Sequence, residues 1–243
     1  MAAFALFFLE NKTVAQGFAW GPKGGLTIGQ QKWDGSLDRD LLFKYHGAIF
    51  IESLNETSHD FSLFAQLGYH VKGSAVRYRY SYSTGGQSNL YRREYKFENL
   101  GLTLGGKKRV PLGNLTSYYT LGLRGEYNLR NNLEAVRKNA SDCEILYLPY
   151  DDGKSVKNIV GGFTLGAGIE FPFTELIGGF IELNVEPDFT RQYQQPPINN
   201  IINPCSWNNN PGQTVSLPER QIRNVALEVS VGFRFLRKVE YVD

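Results

Sequence analysis

The 243-residue sequence predicts an all-β chain: an eight-stranded antiparallel up-and-down transmembrane β-barrel with long extracellular loops. Three observations predict it. Apolar residues recur at every second position through most of the chain, which is the period of a strand. The connections between these runs alternate between short and long. Aromatic residues on the apolar parity stand eight positions apart on three different runs. The composition agrees, with 26 Gly, 16 Phe and 14 Tyr. No stretch reaches the ~18 apolar residues of a spanning helix, but a membrane barrel hides its apolar half in alternation. With 26 Lys+Arg against 24 Asp+Glu, no basic excess points to nucleic acid. Two cysteines exclude a disulfide-dense scaffold and an all-cysteine zinc cluster.

Met1–Leu9 is an uncharged apolar run, followed by Thr13-Val14-Ala15. This pattern is that of a secretory signal peptide lacking its basic start. Residues 1–15 are therefore expected to be a truncated signal, and 16–243 a single barrel domain. Strands are expected at 24–33, 44–53, 60–82, 89–108, 115–131, 157–172, 176–191 and 220–236. Residues 54–59, 109–114 and 173–175 then form tight turns. Residues 34–43, 132–156 and 192–219 form long polar loops, the last a Pro- and Asn-rich surface loop from Gln194 to Pro218. The 83–88 connection is short, but its strands outrun the ~10 residues needed to cross a bilayer, so this hairpin projects. Asn132–Lys138 has room for a turn or two of helix. Both termini fall on the short-turn rim, the periplasmic side of an outer-membrane barrel.

One parity is apolar and the other charged. The polar parity holds Glu52, Gln66, Arg124, Glu126, Glu170, Glu182, Glu186, Glu228 and Arg234, with Gly162, Gly166 and Gly168. An eight-stranded lumen is just wide enough to be filled by side chains. The glycines relieve crowding there, and the charges must pair, because an isolated buried charge is very costly. A secreted lipocalin-type carrier would have the opposite polarity, with a dry apolar lumen. On the apolar parity, Phe61 and Tyr69, Tyr119 and Tyr127, and Phe163 and Phe171 form the eight-residue pairs. At ~3.3 Å per residue and a tilt of ~40° each pair spans roughly 20 Å of the barrel axis, matching two aromatic girdles around an apolar band. Tyr45 joins the upper girdle and Phe235 the lower.

Several segments resemble the PorT-like outer-membrane β-barrel proteins of Bacteroidetes-type bacteria. Leu67-Gly68-Tyr69-His70-Val71-Lys72-Gly73 is similar to that family's third-strand Leu-x-Tyr-x-x-Lys-Gly pattern. Gly162–Phe171 is similar to its Gly-x-x-x-Gly-x-Gly-x-Glu strand, and Arg223–Phe235 to its closing strand. The chain departs from the pattern at Leu100-Gly101-Leu102, where the family carries an Ile-Pro step, and continues for eight residues past Phe235. The resemblance implies fold and compartment.

No catalytic, cofactor or metal motif is read from the sequence. His46 and His70 are expected to point inward on neighbouring strands, paired with Glu52 or Gln66, and His59 to sit in a turn. Gly101–Lys108 lacks the spacing of a phosphate loop. Lys107, Lys108 and Arg109 are expected to be solvated where a strand leaves the membrane. Cys143 and Cys205 fall in loops that follow the fifth and seventh strands on one rim. Export through an oxidising compartment favours a disulfide between them. The functional expectation is a non-enzymatic outer-membrane barrel. It would serve as a structural or accessory subunit of a protein-secretion or outer-membrane assembly complex. The long loops, together with the 73–98 hairpin, would bind protein partners, and outer-membrane lipid would surround the wall. A small outer-membrane enzyme, a passive barrel and the lipocalin-type carrier are the alternatives. No small-molecule substrate is identified.

Overall fold

The computed structural model describes residues 16–33, 39–55, 60–78, 86, 90–140, 146, 149, 154–203 and 213–237. In chain order the elements are β1 (Gln16–Trp33), β2 (Leu42–Asn55), β3 (Phe61–Tyr78), β4 (Tyr91–Leu112), β5 (Leu115–Asn131), α1 (Leu133–Lys138), β6 (Ile159–Pro172), β7 (Ile177–Pro187), β8 (Tyr193–Gln195), β9 (Ile198–Ile202), β10 (Thr214–Leu217) and β11 (Arg220–Arg237). The wall runs β1-β2-β3-β4-β5-β6-β7-β11, every neighbour antiparallel, and β11 pairs back to β1 to close the ring. The eight-stranded barrel expected from the alternation is the fold. Short β8 pairs with β11 beyond the end of β7, and β9 and β10 form a separate hairpin.

The period-two pattern sets the polarity of the wall. Along β5, Leu121 and Leu123 point outward while Arg124 and Glu126 are buried inside. Leu123 is 62% exposed, and Leu63, Leu104, Leu165 and Val231 share its orientation on other strands. A surface of this kind is stable against hydrocarbon, where a closed barrel satisfies its backbone groups with no free edge. The dry apolar lumen of a lipocalin-type carrier is not what this wall encloses.

The polarity inverts toward the long-loop rim. There the lumen is capped by an apolar cluster of Val76, Tyr95, Phe97, Leu133, Val136, Tyr193 and Ile222. The outward side of the same strands carries Arg77, Glu94, Lys96 and Glu98. This part of the barrel is built like a water-soluble one, so the inversion marks where the strands leave the bilayer.

Among the described residues, four differences from the sequence expectation exceed two residues. β1 begins at Gln16, and the expected start at 24 is late because Gly17, Gly21 and Pro22 dilute the alternation before it. A Cβ at Gly21 would lie 1.8 Å from the Phe233 carbonyl oxygen, and one at Gly25 1.9 Å from that of Val229. These glycines let β1 and β11 approach at the closing seam. β4 continues to Leu112, leaving Gly113-Asn114 as a two-residue turn with φ +61° at Gly113, a conformation that favours glycine. β7 stops at Pro187, which lacks the N–H needed to extend the ladder, and not at 191. The stretch expected to be one surface loop from 192 to 219 contains β8, β9 and β10. The expected signal peptide (1–15), His59, Cys143 and Cys205 lie outside the described residues.

Candidate functional site

The lumen is the one place where several strands bring chemistry together among the described residues, and it is organised in two charged layers. In the layer nearer the short turns, Lys23 of β1 pairs with Glu182 of β7. Tyr118 donates its hydroxyl to the same carboxylate at 2.9 Å. Glu52 and Glu170 face Lys107 and Arg109: Lys107 pairs with Glu170 and stands 3.5 Å from Glu52, while Arg109 pairs with Glu52 and lies 3.3 Å from Glu170. Arg234 reaches Glu170 at 2.5 Å from the rim, where its side chain keeps 24% exposure. Phe50, Phe64 and Phe180 also point inward, and a cavity of about 30 Å³ beside them and Gln66 has room for one or two waters.

In the layer nearer the long loops, Lys72 of β3 stands 2.5 Å from Glu126, 3.1 Å from Glu186 and 3.8 Å from Asp188. Arg124 of β5 meets the same three carboxylates at 2.7, 3.2 and 2.5 Å. Asn99 donates to Glu126 at 2.8 Å, and Asn224 to Asp188 at 3.1 Å. Beside them His70 Nδ1 lies 2.7 Å from Glu228 Oε1. Thr27 donates to that same oxygen at 3.0 Å and also contacts His46 Nδ1 at 3.0 Å. These contacts connect opposite walls, so removing one partner leaves a buried charge uncompensated.

Glu52, Gln66, Arg124, Glu126, Glu170, Glu182 and Glu228 are all buried in the lumen, with Arg234 at its edge. His46 and His70 do face inward, but they meet Glu228 instead of Glu52 or Gln66. Lys107 and Arg109 are likewise buried between Glu52 and Glu170, and only Lys108 is outside and exposed. The expectation that all three are solvated ended β4 too early, since the alternation through Thr103 already puts 107 and 109 inside. Lys23, Lys72 and Asp188 complete the layers; Lys23 and Asp188 were not singled out from the sequence, and Lys72 was named only as a position of the third-strand pattern. Lys72 and Asp188 share the inward parity of His70 and Glu186, which was the available signal.

The girdle residues all lie on the outer face. Tyr69, Leu100 and Tyr127 align across β3, β4 and β5, and Phe61, Lys108 and Tyr119 align nearer the short turns. Phe163 rests against Phe189, Phe171 against Phe173 and Phe235 against Trp20, at centroid distances of 5.1, 5.3 and 5.1 Å. Tyr45 is the most exposed of the set. Tyr69 donates its hydroxyl to Glu98 at 2.5 Å, which in turn pairs with Arg130. An aromatic body with a polar tip suits the membrane–water boundary. Farther out, burial alone would raise the Glu94 carboxyl, but Lys44 at 2.9 Å and Lys96 at 3.3 Å hold it below its ordinary value.

Residues 11–191 match the family of outer membrane protein beta-barrel domains. Comparison with curated protein sequences returns no match. Among solved structures the chain is similar to Ail, the attachment invasion locus protein of Yersinia pestis, in complex with the heparin analogue sucrose octasulfate. Identity there is 11%, covering 90% of this chain and 99% of Ail, with a TM-score of 0.40. It is also similar to Neisserial surface protein A at 7% identity, 90% and 96% coverage and a TM-score of 0.46. OprG from Pseudomonas aeruginosa gives 10% identity, 91% and 96% coverage and a TM-score of 0.44. With the family match spanning most of the sequence on a closed, apolar-walled barrel, this chain belongs to the outer membrane β-barrel family and is a protein of the bacterial outer membrane.

Proposed function

We propose that the protein is a non-enzymatic, PorT-like barrel serving as a structural or accessory subunit of a protein-secretion or outer-membrane assembly complex. Its termini lie in the periplasm, and its long-loop end binds the partner. The observation that carries this reading is the contrast between the two regions of the molecule. The lumen is filled by ion pairs joining opposite walls, whereas β3, β4 and the β8–β10 segment project past the girdle. A filled lumen suits neither conduction nor turnover. His46 and His70 are enclosed within it, away from any substrate in lipid or water.

The test is a mild-detergent pull-down of tagged protein from native membranes, beside a variant with residues 198–217 replaced by a short Gly-Ser linker. The expected result is a stoichiometric partner that the variant loses while keeping heat-modifiable gel mobility. Wild-type protein recovered alone, or a partner retained undiminished by the variant, would overturn the proposal.

A further inference from the structure

We infer that the long-loop layer of the lumen holds one divalent transition-metal cation between His70, Glu186 and Glu228. The three residues come from β3, β7 and β11, are fully or almost fully buried, and offer ligand atoms that all lie within 4.8 Å of one another. Nitrogen and oxygen ligands surround a tetrahedral zinc-type ion at about 2.0–2.2 Å, so neighbouring ligand atoms stand about 3.3–3.6 Å apart. Side-chain shifts of about 1 Å gather this set around one ion, drawing the widest pair together and opening the 2.7 Å contact between His70 and Glu228.

Two independent observations point to a ligand. Glu186 Oε1 and Glu228 Oε2 are buried oxygens with no hydrogen-bond partner. Such atoms carry their full desolvation penalty unless something positive meets them. The second observation is the charge count. Lys72 and Arg124 are the layer's two fixed cations, against four carboxylates: Glu126, Glu186, Asp188 and Glu228. The inward groups of the other walls at this level, Thr27, Asn99, Thr164, Asn224 and Ser230, are neutral. Lys23, the next cation toward the short turns, is taken by Glu182. The layer is therefore two negative charges out of balance with both histidines neutral.

A proton on His70, beside Glu228 at 2.7 Å, halves this gap, and His46 does not supply the second. Thr27 gives its hydroxyl proton to Glu228, so it accepts one from His46 Nδ1. His46 Nε2 then accepts from Ser230 Oγ at 2.8 Å, which satisfies a neutral ring. The His46 and His70 rings also lie stacked, with centroids 6.0 Å apart and planes 11° from parallel, and two adjacent imidazoliums would repel. One divalent ion balances the layer and meets both orphaned oxygens. A nitrogen with two carboxylates suits zinc or manganese better than magnesium or calcium, which take oxygen ligands. Bound there, the ion ties β3 to the β7–β11 side of the barrel.

The test begins with wild-type protein purified from outer membranes without chelators, its thiols alkylated, and analysed for metals. About one equivalent of zinc or manganese is expected. Metal-free protein is then refolded in detergent with Zn²⁺, Mn²⁺ or Mg²⁺ and unfolded in urea. Zinc or manganese should raise the midpoint and magnesium should not, since free ion at 100 times its Kd shifts the folding equilibrium about 100-fold. The double variant His70→Gln, Glu186→Gln should lose both the bound metal and the stabilisation. Metal-free native protein together with a wild-type midpoint indifferent to Zn²⁺ and Mn²⁺ overturns the inference, and needs no variant to fold. Stabilisation retained in the double variant overturns the site. Neither result bears on the partner test above, which reads complex formation.

Discussion

The guanidinium of Arg124 reaches Asp188 at 2.5 Å by passing over Gly162 of the intervening strand. A Cβ at that glycine would come within 2.4 Å of Nη2. The small residue and the long one are therefore a single device: the glycine clears the path that the arginine takes between β5 and the end of β7. Arg124→Ala is expected to destabilise the folded barrel by ~3–5 kcal/mol, since it leaves Glu126, Glu186 and Asp188 with Lys72 alone. Urea unfolding in lipid vesicles measures this, and an unchanged midpoint would mean that the lumen is hydrated.

The outward parity makes a prediction of opposite kind. Leu165 faces lipid at 49% exposure, whereas its neighbour Thr164 is buried in the lumen. Leu165→Arg near the midplane should cost ~2–4 kcal/mol, by placing a charge in hydrocarbon. Thr164→Arg should respond instead to added acid partners such as a nearby Asn184→Asp. Equal folding of Leu165→Arg and wild type into bilayers would contradict the polarity of the wall.

Outside the membrane, Glu94 predicts an acid-side effect. Its carboxyl is held low by Lys44 and Lys96 despite partial burial. The folded-state value lies below the unfolded one of ~4.3, so the contribution is full above that pH and is lost as pH falls through the folded value. Glu94→Gln should lower stability modestly at pH 7, by about 0.2–1 kcal/mol. The difference from wild type should vanish by pH 2 to 3. A gap that persists in acid would show that the residue acts through packing.

The proposed Cys143–Cys205 disulfide has a neighbouring observation in its favour. The feet of the two loops are paired, Val156 bridging Tyr193 and Gln194 donating its N–H to the Ser155 carbonyl at 2.8 Å. A bridge closing about 60 residues contributes ~2–4 kcal/mol. Alkylation of non-reduced, denatured protein should label no thiol, and two labelled thiols would refute the bridge.

How much of this was legible in the sequence follows from what each residue has to do. Strands such as β5 and β6 announce themselves because lipid demands an apolar side chain at every outward position, and their acidic inward residues follow from the parity. Of β1 only the second half did, because the seam needs a glycine at 21, Pro22 follows it, and glycine carries no face. Most of the carboxylates were found together with Arg124 and Arg234, but Lys107 and Arg109 were missed: they sit next to outward Lys108, and three consecutive basic residues read as surface. The grouping of His70 with Glu228 depends on contacts between residues 158 positions apart, which no local pattern carries.

The seam also has a consequence for timing. β1 is closed by β11, and Thr27 reaches Glu228 across 201 positions of chain. Until the last eighteen residues of the wall arrive, the first strand has an open edge, and the interior charges have a direct route to hydrocarbon. Each unpaired backbone group at that depth costs several kcal/mol. A half-delivered chain is therefore excluded from the bilayer, and one missing its final strand should stall in the periplasm, where proteases and chaperones can reach it.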